Sequence, residues 1–401
     1  MGERFDNVFA GMGEAEAMET LLADTASLAQ PVSKYIAATR LGASSSEESL
    51  DVLIKASALE SDDLYDRIAR RKAIDALGRR KNGRAIPVLI KALSCDDEIA
   101  VINAIDSITK IDTPLTDEQT QAIGLALTGP DNQKRAVIQA HTRLGLPDPN
   151  DAIRPLEEHD NPLVAGAACV YAARSEGRTE QLNRLIPQLT DPKAGRRHAA
   201  VIDLGDAGDV SWLEPLIRAP VSMPLRAKSA FKLLQTNGNG DIPEQYIPLL
   251  EQLLQDNPNN LDLKDEWIAA EDPAELEKNL QHRDEAKQYG AAKTLISLER
   301  SQAMVVIDDL QKKFGSDYVI HYYLTVAVSL GRIHERSDLI RASLAATIPQ
   351  YAKSRVAAAW GCLNLQLSDQ IPLLRELAEG SEWIPLKWSC KQVLHKISES
   401  G

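Results

Sequence analysis

The feature that most constrains the fold is a pair of short amphipathic helices predicted within residues 196–234. Apolar residues lie at helical spacing in the first part of this stretch, RRHAAVIDL. Gly205 opens the run GDAGD, which predicts the end of the first helix and a turn. Ser211, with Glu214 three positions later, has the spacing of a capping box and predicts the start of the second helix. Because neither helix can bury its apolar face without neighbours, the pair has to belong to a stacked series.

The same pattern recurs along the chain. A glycine, often in a Leu-Gly pair, is followed about ten residues later by a proline that marks the next helix. These glycines are Gly78, Gly145, Gly177 and Gly205, and Gly42 opens the series. Their spacing corresponds to a period of roughly 30–35 residues with two helices per unit, and the long interval before Gly145 holds two units. The period predicts an all-α fold, an α-solenoid of HEAT-like repeats that winds as an α/α superhelix.

The composition fits closely packed helices. Hydrophobic residues make up 44% of the 401 residues, but aromatic residues only 4%. The predicted core therefore consists mainly of small and branched aliphatic side chains, which let helices approach closely. Because a solenoid core grows by stacking, one elongated domain is expected. A turn-forming run within it, Thr236–Asp241, divides the chain into a repeat solenoid (1–235), an irregular connection (236–272) and a second helical segment (273–401).

Charge and cysteine content limit the classes of function. The formal net charge of −13 argues against a nucleic-acid partner, since phosphate neutralisation by Lys and Arg dominates such binding. A basic patch within residues 67–84 would suffice for a small anion, although such patches usually lie solvated on a helix face. The four cysteines are far apart and lack metal-site spacing, so we expect reduced thiols in a cytoplasmic protein and no metal site. No signal peptide and no membrane span is predicted.

Two segments carry a resemblance to a known family. The first is R-x-x-A-V-x-D-L-G-D followed by E-P-L-I-x-A-P-V-S-x-P-L-R, at residues 197–226, and the second is RIARRKAIDALGRRKNGRAIPVLIKAL, at residues 67–93. Repeat stacking alone does not require the hinge APVSMPLR at residues 219–226. In these segments the chain resembles the E/F-type phycobilin lyases of cyanobacteria, whose subunits are HEAT-repeat solenoids. The resemblance extends from about Tyr35 to the C-terminus, and the single-chain length is similar to that of the phycoerythrin-directed subgroup.

The resemblance implies an enzyme that holds a linear tetrapyrrole and attaches it, as a thioether, to a cysteine of a phycobiliprotein subunit. Some members of the subgroup also isomerise phycoerythrobilin to phycourobilin by moving a double bond from the bridge between the first two rings into the first ring. On overall similarity we expect a lyase-isomerase acting on a phycoerythrin α-subunit, with a plain lyase as the alternative. The bilin is the substrate, and no cofactor is expected. The alternative of another class is a non-catalytic scaffold that binds a helical protein partner.

The hinge region supplies the residue types that a bilin pocket needs. Guanidinium groups suit the two propionates, flat side chains suit the rings, and a carboxylate suits the pyrrole nitrogens. The predicted substrate-binding residues are Arg196, Arg197, Asp203, Trp212 and Arg226, with Asp206 as the alternative carboxylate. In a plain repeat protein, Arg197 and Asp203 would instead form an ion-pair ladder between adjacent repeats, and Trp212 would belong to the core.

An aromatic cluster near position 320 is the predicted catalytic site. The run GSDYVIHYY contains three tyrosines and a histidine, in a chain with few aromatic residues. Isomerisation is a proton shift, in which one group takes a proton from the first ring and another delivers one at the bridge. We predict Tyr318, Asp317 and His321 as catalytic residues and Tyr322 as a substrate contact, on a helix capped by Ser316 or Asp317. The alternative is that the tyrosines only fill space between helices.

Overall fold

The computed structural model describes residues 11–234 and 242–400. Within these ranges the regular structure consists of α-helices and short 3-10 segments, with no β-strand. The chain forms two compact units, Met1–Gln181 and Leu182–Gly401. The predicted turn Thr236–Asp241 lies outside the described residues, and the three-part division around residues 236–272 stays a prediction.

The first unit consists of helices stacked in two layers. Its helices are α1 (Glu14–Leu22), α2 (Ser33–Leu41), α3 (Glu47–Ser57), α4 (Leu64–Arg80), α5 (Ile86–Ala92), α6 (Glu98–Ile111), α7 (Asp117–Leu125), α8 (Asp131–Leu144) and α9 (Pro162–Glu176). In one layer α4 packs on α6, α6 on α8 and α8 on α9, and in the other α3 packs on α5 and α5 on α7. This arrangement is the stacking of helical pairs that the sequence period predicts.

The second unit repeats the same architecture. Its helices are α10 (Ala194–Ala207), α11 (Leu213–Arg218), α12 (Met223–Leu233), α13 (Ile247–Gln255), α14 (Pro273–Leu280), α15 (Glu285–Ser297), α16 (Arg300–Phe314), α17 (Tyr318–Leu330), α18 (Ser337–Ala345), α19 (Ala352–Asn364), α20 (Ile371–Gly380) and α21 (Ile384–Ser400). The long helices α15, α17, α19 and α21 pack on one another in that order, while α16, α18 and α20 pack against α17, α19 and α21. The predicted all-α solenoid fold is confirmed.

Local capping signals place several helix boundaries. Thr116 begins α7 with a capping box, in which its hydroxyl accepts from the backbone of Gln119. The carboxylate of Asp317 caps α17. It accepts hydrogen bonds from the backbone N–H groups of residues 319 and 320, both at 2.9 Å. Gly145 and Gly177 follow α8 and α9 at φ values of +65° and +71°, a region that favours glycine. These boundaries agree with the sequence pattern.

Two predicted boundaries around the hinge are wrong. Gly205 does not end its helix, because α10 continues to Ala207 and only Gly208 adopts a positive φ, +74°. Ser211 is not a helix cap, because Asp209 accepts from the backbone N–H of Ser211 at 3.0 Å and α11 begins two residues later. The break is a 3-10 turn, Val210–Trp212, capped by an aspartate.

Glycine in the Leu-Gly pairs serves close helix packing. A Cβ on Gly205 would lie 2.7 Å from the Cβ of Ser229 on α12. In the first unit, a Cβ on Gly78 of α4 would lie 2.7 Å from the Cα of Ser107 on α6. In both units, therefore, a glycine lets two stacked helices of one layer approach until side chain and backbone touch. The recurring glycine is a packing residue at these positions rather than a turn residue.

The basic patch within residues 67–84 connects successive repeats of the first unit. Arg71 donates to Asp97 at 2.8 Å, and Arg80 donates to the backbone carbonyl of Ser46 at the same distance. Arg84 pairs with Glu47 and with a second carboxylate on α3. These guanidinium groups therefore have partners within the protein.

No helix in the described part of the chain combines the length and hydropathy of a bilayer span.

Gly205→Ala tests the close approach of α10 and α12. The added methyl group would meet Ser229 at 2.7 Å, so we expect the free energy of unfolding to fall by about 1–3 kcal/mol. Gly195→Ala in the same helix is the control, because no atom lies within 4 Å of the added Cβ, and it should be neutral or stabilise by up to about 1 kcal/mol. Urea unfolding followed by circular dichroism measures both. Equal stabilities of the two variants would contradict the packing role.

Candidate functional site

A buried polar network joins four segments of the second unit. Arg226 of α12 and Asp256, which follows α13, form an ion pair in which each side chain is 1% exposed. The other carboxylate oxygen of Asp256 accepts hydrogen bonds from the hydroxyl groups of Tyr289, at 2.8 Å, and of Tyr322. The Tyr289 hydroxyl in turn accepts from Arg226 at 3.0 Å and from the backbone N–H of Met223 at 3.2 Å. Every charge in the network has a partner.

Arg226 also holds the backbone of the hinge in its observed conformation. Arg226 also donates to the backbone carbonyl of Ile217 at 2.6 Å and to that of Val221 at 2.8 Å. These carbonyls lie near the end of α11 and inside the hinge, so the guanidinium satisfies backbone acceptors that no helix satisfies. Asp256 itself adopts φ +51° at the C-terminus of α13, a conformation that aspartate tolerates better than most residues. The hinge and the end of α13 are thus fixed by one side chain.

The tyrosines of the network are held neutral. Burial, and then the charge of Asp256, raise the pKa values of Tyr289 and Tyr322 well above the ordinary range. Burial likewise raises the pKa of Tyr323, whose hydroxyl donates to Gln288 at 3.1 Å. These groups donate hydrogen bonds but do not release protons near neutral pH. The network is therefore a rigid support and not a proton relay.

Partly exposed charged groups lie beside this support at the starts of α10, α15 and α19. His198 and Glu285 are joined at 2.6 Å between imidazole Nε2 and a carboxylate oxygen. Burial opposes ionisation of Glu285, but the hydrogen bond from His198 and the charge of Arg197 bring its pKa below the usual value. The ammonium of Lys353 lies 4.4 Å from the centroid of the Tyr322 ring. Cationic, anionic and aromatic groups therefore meet at these helix starts.

Of the predicted binding residues, Arg226 and Tyr322 meet directly at Asp256. Arg197 is fully buried and pairs with Asp284, the residue that caps α15. Its guanidinium also donates to backbone carbonyls of residues 191, 192 and 220 and lies 5.0 Å from the ring centroid of Trp267. Arg197 and Arg226 thus act inside the protein, where they connect helices of this unit.

The remaining predicted binding residues lie in α10 and the turn that follows. Arg196 is half-exposed and pairs with Asp191 at 3.1 Å. Asp203 is buried, and Asp206 is buried beside the ammonium of Lys232. Trp212 is half-buried, and among the described residues its indole N–H, which is shielded from solvent, has no hydrogen-bond acceptor.

The predicted catalytic residues share the start of α17. Tyr318 is 49% exposed, whereas Tyr322, four residues later, is 1% exposed. The carboxylate of Asp317 is engaged as the helix cap. His321 lies with its Nδ1 3.2 Å from the hydroxyl of Ser354, and burial lowers its pKa, so that the neutral imidazole is favoured. Tyr318 and His321, three positions apart, are neighbours on the helix surface.

The structure adds a cavity that the sequence pattern does not reveal. A space of about 500 Å³ lies next to Trp267 and is also lined by Lys278, His282 and Lys287. Lys264 lies 5.4 Å from the centroid of the same indole ring. The lining also includes the carboxylates of Glu266 and Glu275, so the cavity carries charges of both signs.

Three of the four cysteines are unsuited to act as nucleophiles. Cys169, Cys362 and Cys390 are buried, whereas Cys95 is half-buried. Burial raises the pKa of Cys362 and that of Cys390 to about 12. Because only the thiolate is strongly nucleophilic, these two thiols remain unreactive at neutral pH.

Thiol titration tests the low reactivity of the buried cysteines. At pH 8 the native protein should react rapidly with an aromatic disulfide reagent at Cys95 alone, and at all four cysteines after unfolding. The physical reason is that Cys362 and Cys390 form thiolates only as the pH approaches about 12. In a Cys95→Ser variant the rapid phase should be lost. Rapid reaction of two or more thiols in the folded protein would contradict the inference.

Arg226→Met tests the buried network. Removal of the guanidinium leaves the Asp256 charge buried without its cation, so we expect a loss of about 3–5 kcal/mol in the free energy of unfolding. Arg218→Met is the control, because its pair with Asp262 is largely exposed and should be worth at most about 1 kcal/mol. Denaturant unfolding measures both. A loss for Arg226→Met no larger than for the control would refute the central role of the pair.

Comparison with known proteins links this fold to one family. The repeat family described as PBS lyase HEAT-like repeat matches residues 69–95. Over its whole length the chain is 26% identical to an uncharacterized phycocyanin operon protein Y of Pseudanabaena tenuis, of which 95% is covered. It is also 24% identical, over 83% of its length, to the bilin biosynthesis protein CpeY of a Synechococcus species, of which 81% is covered.

Further similarities extend over parts of the chain. A phycocyanobilin lyase subunit alpha of Microchaete diplosiphon is 29% identical over 52% of this chain and 76% of its own length. Among solved structures, the complex of CpcE and CpcF of phycocyanin lyase from Nostoc has the same fold, with a TM-score of 0.51 and 24% identity over 60% of this chain and 94% of that chain. Together these similarities support an E/F-type phycobilin lyase with HEAT-like repeats.

Proposed function

We propose that this protein is a bilin lyase-isomerase that attaches phycoerythrobilin to a cysteine of a phycoerythrin α-subunit and isomerises it to phycourobilin. The observation that carries the proposal is the similarity, over most of both chains, to a bilin biosynthesis protein. The second unit supports it with a fixed aromatic and charged site that suits a linear tetrapyrrole. The alternative function is that of a plain lyase, which would attach the bilin without isomerising it.

Ligation makes few chemical demands on the protein. The acceptor thiol adds across a carbon–carbon double bond at the first ring of the pigment, so that a C–S bond forms and the thiol proton ends on carbon. Nothing is oxidised, and no group leaves. The protein has to hold the pigment and the acceptor in the reactive geometry, and it needs no nucleophile of its own. Its protected cysteines are in keeping with that division of roles.

Isomerisation needs a base and an acid close to the pigment, and the start of α17 offers both. His321 is favoured as the neutral imidazole and takes a proton from the first ring. Tyr318, half-exposed and on the adjacent position of the helix surface, delivers a proton at the bridge. Asp317 fixes the first turn of the helix through its capping hydrogen bonds and so positions both groups. The double bond moves without any change in oxidation state.

Tyr318→Phe tests the isomerase assignment. The variant should fold normally, because the lost hydroxyl is at a half-exposed side chain, but its isomerisation rate should fall about 10²-fold or more. The acceptor would then carry phycoerythrobilin in place of phycourobilin, or less pigment in total. The measurement is the mass and visible absorbance of the acceptor peptide after co-expression with a phycoerythrin α-subunit and a bilin-synthesising pathway. Phycourobilin absorbs at shorter wavelength because its conjugated system is shorter.

Tyr65→Phe is the matched control. Tyr65 is 39% exposed near the start of α4, behind an aspartate cap, and its replacement should leave yield and isomer unchanged. Normal yield and normal isomer from Tyr318→Phe would remove that hydroxyl from the mechanism. Transfer of phycoerythrobilin without isomerisation by the unaltered protein would favour the plain lyase. The non-catalytic scaffold predicts no spectral change when the purified chain is mixed with phycoerythrobilin.

A further inference from the structure

We propose that Lys353 binds a carboxylate of the bilin, an inference that rests on the proposed function. The residue lies at the second position of α19, beside the aromatic residues of α17. Its side chain provides a point charge with three N–H donors. Sequence analysis assigns the binding of the bilin carboxylates to arginines of the hinge region, and here Lys353 takes that role instead.

Two of the predicted arginines, Arg197 and Arg226, are fully occupied within the protein. Arg197 is 0% exposed, and each of its guanidinium nitrogens donates to a backbone carbonyl or to Asp284. Arg226 is 1% exposed and donates to Asp256, to Tyr289 and to backbone carbonyls. A substrate carboxylate would have to displace buried partners to reach either guanidinium, which costs more than the exchange returns.

Lys353 is in the opposite situation. Its ammonium lies 4.4 Å from the ring centroid of Tyr322 and 5.5 Å from that of Tyr323. Within residues 11–234 and 242–400, no carboxylate lies within 4.0 Å of this ammonium and no hydrogen-bond acceptor pairs with it. The half-buried cation therefore lies against aromatic ring faces and has no anion in direct contact among the described residues.

The acidic groups around Lys353 are committed elsewhere. Asp256 accepts from Arg226 and two tyrosines, and Glu285 pairs with His198. Asp317 accepts two backbone hydrogen bonds at the start of α17. These carboxylates contribute a long-range attraction to the ammonium without satisfying its donors.

Two further effects leave this ammonium in need of an anion. Burial lowers the pKa of Lys353 despite the acidic groups nearby. Its place in the first turn of α19 adds the positive end of the helix dipole, which disfavours a cation. A ligand carboxylate would relieve both, since it supplies the missing charge and acceptor atoms in one group.

The test compares the pigment with and without its negative charges. Binding of phycoerythrobilin and of its dimethyl ester to the full chain is measured by the change in visible absorbance. The unaltered protein should bind the free acid about ten- to a hundredfold more tightly than the ester. Lys353→Met should lose this preference by weakening binding of the acid only, and Lys353→Arg should keep most of it. Lys228→Met, at an exposed position of α12, should behave like the unaltered protein.

The ester separates ligand binding from a structural role, because a misfolded Lys353→Met variant would bind both pigments poorly. Circular dichroism and thermal unfolding of the variant check its folding independently. If the unaltered protein and Lys353→Met share the same preference for the acid, the inference is overturned while the proposed function stands. If Lys353→Met binds the acid normally but transfers it slowly, the lysine acts in proton transfer and the inference is likewise overturned. If the unaltered protein binds neither pigment, the proposed function fails together with the inference.

Discussion

The ion pair between Arg226 and Asp256 is the interaction on which the second unit depends. Its hydrogen bonds connect residues 30, 33 and 66 positions apart in sequence, and so bring together α12, the end of α13, α15 and α17. A buried ion pair of this kind stabilises the protein only if the remaining donors and acceptors are also satisfied. Tyr289, Tyr322 and the backbone carbonyls of Ile217 and Val221 meet that condition. The starts of α15 and α17 are consequently fixed relative to the hinge, and the partly exposed groups there are held in place.

The fold was predictable from the sequence because its determinants are local and periodic. The capping box at Thr116 and the left-handed glycine at Gly145 involve atoms within a few residues, so the sequence contains all the information needed. The Leu-Gly pair at Gly205 is different. A glycine in an amphipathic segment is compatible with a turn or with a close helix contact, and the choice depends on Ser229, which lies in the next stacked helix. The period therefore predicts the repeat, whereas the function of each glycine depends on the neighbouring repeat.

The candidate site was predictable in its residue types but not in its pairings. The hinge motif and the scarcity of aromatic residues single out Arg226 and Tyr322, and the structure joins both to Asp256. Asp256 lies in an ordinary polar stretch, and nothing local distinguishes it from its neighbours. Lys353 likewise becomes conspicuous only when the rings of α17 are placed beside it. A side chain identified by composition can lie in a support for the site rather than in the site itself, as the 1% exposure of Tyr322 illustrates.

The protection of the cysteines bears on how a pigment would be held and released. Cys362 and Cys390 stay neutral thiols at any physiological pH, so in the second unit a bound bilin would be retained by noncovalent contacts alone. Reversible binding has to come from ion pairing and from contact with flat side chains. Such contacts are weakened when water or a competing acceptor enters the site. A carrier that binds its pigment in this way can transfer it to a cysteine of another protein without first breaking a covalent bond of its own, and the thioether then makes the transfer one-way.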